Sequence, residues 1–384
     1  MPAYLSSANM SDAFQLDRER PSGMTISIPP RRSAQHIHIG LVNNMPDGAI
    51  EATERQFVSL LAEASGEIPV TLHLYSLPGI PRLESAANHI RAHYAGIDEL
   101  WNTHLDGIIV TGREPVTANL RDEPYWGSFT NLLDWARENT YSAIWSCLAA
   151  HAAVLYCDGI DRVRSDSKKC GIFDCTQTEY DGLTTGIGAS FKLPHSRWNG
   201  VPELALTRCG YRVLSRSAAG VDTFIKQYNS LFVFFQGHPE YDANTLMLEY
   251  RRDVGRFFRG ESDRYPSLPL NYFDRPTAAL LENLQKQAVK HPSSELLTEA
   301  HWILSEARVE APWRLAATSM YRNWLRYLSD QKEIHLISTG GAAQTQGNKA
   351  SMVAIDAVEA TIPNFYAKKR SHPEERPRRV AAAR

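Results

Sequence analysis

A doubly wound α/β fold, with a mostly parallel sheet, helices on both faces and a helical layer at the C-terminus, is the architecture the sequence predicts. Three observations predict it. Apolar runs of strand length recur, and each ends in polar or turn residues, as strands buried on both faces of a parallel sheet do. Segments with a 3.6-residue apolar period separate them, which is the alternation of βαβ units. Between 293 and 331 the pattern turns wholly helical, with Trp302, Trp313, Tyr321, Trp324 and Tyr327 supplying bulk.

Taken in order, residues 1–34 are polar, broken by Pro21, Pro29 and Pro30, and read as a loosely ordered arm. A strand over 36–42 ends at Asn43-Asn44-Met45-Pro46-Asp47-Gly48. The stretch 49–64 places Ile50, Phe57, Leu60 and Leu61 on one helical stripe. Strands follow at 70–75 and 105–110, a helix at 126–138, and a short buried strand at 141–145 that runs straight into Cys147. Residues 148–156 are small, apolar and helix-prone. Beyond Asp158 the texture is mixed, with strands expected near 204–207, 210–214 and 231–235, and a helix over 242–258. Periodicity fades beyond about His335, and 368–384 carries seven basic and two acidic residues, so 335–384 reads as a basic extension with a disordered tail. The main domain is then 35–334.

Composition narrows the function classes. With 41 basic and 43 acidic side chains, the net charge of -2 gives no general pull toward nucleic acid or membranes. No uncharged apolar run reaches bilayer length, and no apolar stretch behind a basic start marks a secretory signal. The five cysteines, Cys147, Cys157, Cys170, Cys175 and Cys209, form no CxxC pair. That suits neither a disulfide framework nor a zinc site, and it fits a reducing, cytoplasmic setting in which a thiol is kept for chemistry.

Two segments carry that chemistry. In Ile144-Trp145-Ser146-Cys147-Leu148-Ala149-Ala150-His151 a buried strand delivers a cysteine to a tight turn, and small residues let a helix pack close behind. This is the logic of a nucleophile elbow, with helix N–H groups facing a developing oxyanion. The bland alternative is a core cysteine, since free cysteine is often buried. In Phe234-Phe235-Gln236-Gly237-His238-Pro239-Glu240-Tyr241 an apolar strand again ends in polar residues. His238 can serve as base for the thiol and Glu240 can orient the imidazole; the alternative is a lone structural histidine. His151, one helical turn beyond Cys147, is read as packing within its helix rather than as the base.

At these residues the sequence resembles the homoserine O-succinyltransferase family. The most specific match is Gly237-His238-Pro239-Glu240-Tyr241-Asp242-Ala243-Asn244-Thr245-Leu246, continuing through Glu249-Tyr250 to Arg252-Asp253. Weaker matches in the same order include Asn44-Met45-Pro46, Asp106-Gly107, Thr111-Gly112, Tyr125-Trp126, Lys168 to Gly171, Pro194-His195-Ser196-Arg197, Asn271-Tyr272-Phe273 and Asn323-Trp324-Leu325. The resemblance implies a class I glutamine amidotransferase-like fold. It implies that a cysteine, here Cys147, takes an acyl group from acyl-CoA as a thioester and passes it to the homoserine hydroxyl, with His238 as proton acceptor and Glu240 as its partner. It also implies substrate contacts at Lys168, Ser196 and Arg252. No bound cofactor or metal is expected, acyl-CoA being a co-substrate. Neither nucleic acid nor membrane is an expected partner, and a homodimer is left open.

Two departures bear on the substrates. Where the family has a Thr-Gly-Ala-Pro loop, this chain has Thr111-Gly112-Arg113-Glu114-Pro115, and Arg113 adds a cation that a charged succinyl group would favour over acetyl. Glu114 beside it could neutralise that cation. Where the family commonly carries a lysine after Asn-x-Met-Pro, Asp47-Gly48 stand here. Acetyl as donor group, serine as acceptor, and a glutaminase-type amidotransferase remain the competing readings.

Overall fold

The computed structural model describes residues 15–17, 25–28 and 35–344. The chain divides into two compact units, Met1–Leu336 and Ile337–Arg384, and the described part of the second is the end of a helix. Four strands arrive first: β1 (Gln15–Asp17), β2 (Thr25–Ile28), β3 (Ile37–Val42) and, after helix α1 (Ile50–Ser65), β4 (Val70–Tyr75). Helices α2 (Glu84–His93) and α3 (Ile97–Leu100) lead to β5 (Gly107–Val110), α4 (Trp126–Asn139), β6 (Ser142–Ser146) and α5 (Leu148–Asp158). A long hairpin follows, β7 (Val163–Gln177) and β8 (Ser190–Gly200), then α6 (Glu203–Arg208). Short strands β9 (Arg212–Val213), β10 (Ser215–Ser217) and β11 (Gly220–Val221) precede β12 (Thr223–Gln227) and β13 (Leu231–Phe235). Helices α7 (Thr245–Phe258), α8 (Arg275–Lys290), α9 (Ser294–Glu306) and α10 (Arg314–Gln344) close the chain.

Among the described residues the main sheet runs β1-β2-β4-β3-β5-β6-β13-β12-β9. The five central strands, β4-β3-β5-β6-β13, are parallel, and both edges are antiparallel. The central strands are apolar on both faces because helices cover both. On one face Ile37, Ile39 and Leu41 pack with Phe57 and Leu61 of α1, with Trp313 just before α10, and with Tyr321 and Trp324 of α10. On the other, Ile108, Val110 and Trp145 pack with Phe129 and Leu133 of α4 and Ala150 of α5. Helices α7, α8 and α9 form a further cluster around Tyr250, Val254, Leu281 and Ile303.

Several expectations need correction. Two pieces of the expected loose arm are strands: β2 pairs antiparallel with β4, from Thr25↔His73 to Ile28↔Val70. An outer parallel strand leaves a row of N–H and C=O groups to be satisfied, and this segment meets that demand. The rest of residues 1–34, and the basic tail 368–384, lie outside the described residues. Residues 204–207 are helix α6 rather than strand, a six-residue apolar piece too short for periodicity to separate the two. The helical layer expected over 293–331 is α9 and α10, and α10 runs past His335. A second sheet, β11-β10-β7-β8, replaces the mixed texture after Asp158. Helix α8 was not expected, although Asp274 caps it by accepting from the Thr277 N–H at 2.8 Å and Pro276 sits in its first turn. No helix among the described residues is long and apolar enough to cross a membrane.

Candidate active site

The carboxyl ends of β3, β5, β6 and β13 meet at one edge of the parallel sheet. Open α/β sheets place ligand crevices at this edge, where successive connections depart in opposite directions. From β3 the chain winds out to β4 and returns to β5 on the other side, so the switch lies beside the turn Asn43-Asn44-Met45-Pro46. A cleft of about 1080 Å³ opens there. Its walls include all seven side chains expected from the sequence: Cys147, His238, Glu240, Lys168, Ser196, Arg252 and Arg113.

Cys147 follows β6 directly and has φ 52° and ψ -111°. A non-glycine residue held there carries strain of about 1–3 kcal/mol, which the surroundings must override. Its N–H donates to the Phe235 carbonyl at 2.7 Å, and its own carbonyl accepts from Ala150 and His151 at 3.1 and 3.3 Å. The turn is therefore bolted to β13 on one side and to α5 on the other. Gly112 makes the approach possible: a Cβ there would lie 2.5 Å from Leu148 Cβ and 2.6 Å from the Ala149 nitrogen.

His238 sits just beyond β13, and its Nδ1 lies 2.8 Å from Glu240 Oε1. The Nε2 is thus left to face the cleft that Cys147 also lines. Burial by itself would lower the pKa of His238; its interactions with Cys147 and Glu240 outweigh it and hold the ring well above its ordinary value. The His238 N–H donates to the Pro194 carbonyl at 2.9 Å, and its ring stacks on Tyr241 with centroids 4.2 Å apart. His151 does something else. Its Nε2 lies 2.9 Å from Gln236 Oε1, and burial drives it down to about 3, so it is a neutral packing group beneath the elbow. Cys170 shares the cleft, but burial pushes its thiol up to about 11.

The remaining polar wall is knitted around two carboxylates that the sequence reading left without a role. Glu249 and Asp253 lie four residues apart on α7, a spacing that puts both on one helix face and could have flagged them. Glu249 Oε1 accepts from the Tyr241 hydroxyl at 2.6 Å, and Oε2 accepts from Ser196 Oγ. Lys168 Nζ is 3.0 Å from Asp253 and 3.9 Å from Glu249, and Arg252 meets Asp253 at 2.8 Å. Burial alone would raise Asp253, but these two cations hold it below its ordinary value. Lys168 is therefore a paired cation. Arg113 is different: its Nη1 is buried with no hydrogen-bond partner among the described residues, while its Nε contacts the Glu114 carbonyl at 3.3 Å. The Glu114 carboxylate lies 3.8 Å from Arg256, so it does not neutralise Arg113. At the Met45 turn, Asp47 holds Arg82 at 3.3 Å and the guanidinium also donates to the Met45 carbonyl. A cation thus reaches that turn from elsewhere in the chain.

Among the described residues one group could hold a metal by proximity: Cys175, His195 and Asp222, all buried, with ligand atoms within 4.8 Å of one another. Their bonds describe a structural network instead. Asp222 accepts from the Gly237 N–H at 3.2 Å, Thr223 Oγ1 at 3.0 Å and Ser215 Oγ at 3.2 Å, with His195 Nε2 3.2 Å away. Burial raises the Cys175 thiol, which keeps it protonated and a poor ligand. The network props the Gly237-His238 turn from below.

The sequence matches the model of the homoserine O-succinyltransferase family over residues 7–335. It is 46% identical over 301 residues to a homoserine O-succinyltransferase of Bradyrhizobium japonicum, covering 78% of this chain and 92% of that protein. Enzymes of the same name from Rhodopseudomonas palustris and Methylorubrum extorquens are 45% and 41% identical, over 79% and 83% of this chain and 92% and 94% of theirs. Among solved structures, a glutamine amidotransferase from Methylobacillus flagellatus has a TM-score of 0.42 at 15% identity, covering 77% of this chain and 96% of that one, a likeness too loose to bear on function. Matched over most of its length by the family and by these relatives, the chain belongs to the homoserine O-succinyltransferase family.

Proposed function

We propose that the chain transfers a succinyl group from succinyl-CoA to the hydroxyl of L-homoserine, in two steps through a thioester on Cys147. Membership of the family makes it an O-acyltransferase of methionine biosynthesis. The single observation that carries the finer reading is the strained Cys147 elbow beside an imidazole whose other nitrogen is held by Glu240.

In the first step His238 Nε2 takes the thiol proton and the sulfur adds to the thioester carbonyl. The oxyanion is met by N–H groups at the start of α5. Collapse expels the CoA thiolate, which takes the proton back from His238. In the second step His238 accepts the homoserine hydroxyl proton as that oxygen attacks the acyl-cysteine. Succinyl-homoserine leaves, and the Cys147 thiolate is reprotonated. Arg252 grips the acceptor's carboxylate, Glu249 and Asp253 receive its ammonium group, and Ser196 completes that wall with Lys168 holding the two acids in place. Arg113, with its free buried nitrogen, reads the succinyl carboxylate. The chemistry as proposed draws on side chains and two small-molecule substrates in the cytoplasm, without a bound cofactor, nucleic acid or membrane.

The test is CoA release measured for succinyl-CoA and acetyl-CoA against homoserine and serine. The succinyl-CoA and homoserine pair should be fastest. Arg113→Ala should raise KM for succinyl-CoA about tenfold, a loss of one charge-assisted contact, and leave acetyl-CoA use unchanged. A wild-type preference for acetyl-CoA or for serine would reassign donor or acceptor.

A further inference from the structure

Beyond the triad the cleft continues along the β7–β8 hairpin into a second cavity of about 580 Å³. Arg162, Arg164, Trp198 and Asn199 line both spaces, so one wall runs unbroken between them. Arg162 and Arg164 flank Val163 at the start of β7, and the period of two of extended chain sends both to the same side. Neither guanidinium forms an ion pair among the described residues: Arg162 reaches only the Ala118 carbonyl at 3.5 Å, and Arg164 lies 4.8 Å over the Trp198 ring. Elsewhere in the cleft the cations of Lys168, Arg252 and Arg256 are paired with Glu114, Glu249 or Asp253. The Trp198 indole remains 37% exposed. Arg162 lines the same cleft as Cys147.

An open indole and two unneutralised guanidiniums are the groups that recognise a base and its phosphates. Aromatic faces stack bases of any kind, and the planar arginine fork matches phosphate oxygens bidentately. We infer that this wall binds the phosphorylated adenine nucleotide at the far end of the acyl-CoA donor, with the base on Trp198 and the phosphates on Arg162 and Arg164. The inference rests on the acyl-CoA reading of the main cleft and adds the place where the donor is gripped. Arg164 and Lys168 are four residues apart on β7, at most about 14 Å of extended chain, a span that the pantetheine arm of CoA can bridge. The acyl group then lies at Cys147 and Arg113 while the nucleotide lies outside, and the acceptor enters from the α7 side.

The experiment uses the full chain and two donors: succinyl-CoA and succinyl-N-acetylcysteamine, a thioester with no nucleotide. Arg164→Ala and Trp198→Ala should each raise KM for succinyl-CoA about tenfold, the scale of one lost stacking or phosphate contact, with kcat little changed. With the truncated donor, kcat/KM should stay within about twofold of wild type in both. Trp198→Phe keeps a stacking face and should recover most of the loss. Inhibition by 3′,5′-adenosine diphosphate should be competitive with succinyl-CoA and weakened in both alanine variants. Equal losses with both donors, unchanged KM for succinyl-CoA, or inhibition that ignores the variants would overturn the nucleotide subsite while leaving acyl transfer standing. A wild-type protein that uses neither donor would remove the acyl-CoA reading, and this inference with it.

Discussion

Cys147 differs from its fellow thiols by position rather than by residue type. Burial raises Cys157, Cys170 and Cys175 and leaves them inert, whereas Cys147 projects from a turn within reach of His238. With succinyl-CoA alone, intact-protein mass spectrometry should show one acyl adduct, lost in Cys147→Ala; an adduct that survives the substitution would move the nucleophile. His238→Asn should slow both half-reactions by about 10²–10⁴-fold, the usual worth of a positioned proton carrier, and near-normal turnover would sink the triad. A separate pH effect follows from His151. Its folded-state pKa of about 3 lies below the ordinary value, so the unfolded chain binds an extra proton between about pH 6.5 and 3 and stability falls as pH drops through that window. His73, lowered by burial to about 4, acts with the same sign. His238 runs the other way: its raised pKa adds stability below about pH 6.5 that fades as pH climbs through the raised value. Urea midpoints should therefore fall from pH 6.5 toward 4, less steeply in His151→Gln; an unchanged slope would place the acid sensitivity elsewhere.

At the scale of elements, the site is four strand ends held in register. Phe235 pairs with Ser146 and Val110 with Trp145, so the residues that follow each strand emerge side by side. The elbow and the loop after β5 touch with no space between them at Gly112. Gly112→Ala must push α5 away from that loop, because the new Cβ meets backbone and Cβ atoms rather than the end of a flexible side chain. Overpacking of this kind costs about 1–3 kcal/mol, and a displaced nucleophile can cost on the order of 10²-fold in rate. We expect a folded variant whose kcat falls while KM for homoserine stays near wild type. A fully active Gly112→Ala enzyme would show that the elbow tolerates movement. The main strands were readable because parallel strands buried on both faces appear as plain apolar runs. The β7–β8 hairpin was not, since much of β7 is exposed and polar and its pattern resembles a loop.

For the whole molecule, Trp313 and the start of α10 brace the sheet edge that carries His238 and Glu240. The buried Trp313 donates its indole N–H to the Tyr241 carbonyl at 3.0 Å, tying the C-terminal helix to the segment that carries His238 and Glu240. Tyr321 stacks on Phe235 with centroids 6.1 Å apart, and Trp324 donates to Ser142 Oγ at 2.9 Å. Trp313→Phe keeps most of the packing but leaves the Tyr241 carbonyl without its buried donor, at a cost of about 1–3 kcal/mol. Denaturant unfolding should show that loss, with a smaller fall in turnover as the Glu240-Tyr241 turn loosens. A variant as stable as wild type would mean that water replaces the indole.

Residue order alone determined the strands and helices from Ile37 to Tyr75 and from Gly107 to Leu155, though not α2 and α3 between them, together with the elbow at Cys147 and the nearness of His238 to Glu240. Each is a local property: an apolar run, a small-residue helix start, two side chains within one turn. Lys168, Ser196 and Arg252 came instead from a family resemblance, and their partners became visible only in three dimensions. Glu249 and Asp253 acquire their meaning when α7 is laid against β7 and β8, which fixes Lys168 and Ser196 as paired groups. Whether Glu114 cancels Arg113 was likewise undecidable from adjacency, because neighbouring side chains in a loop point where packing sends them, and here Glu114 turns to Arg256 on α7. Electrostatics of this kind depends on distance through space and on burial, and neither is a property of sequence spacing once the chain has folded back on itself.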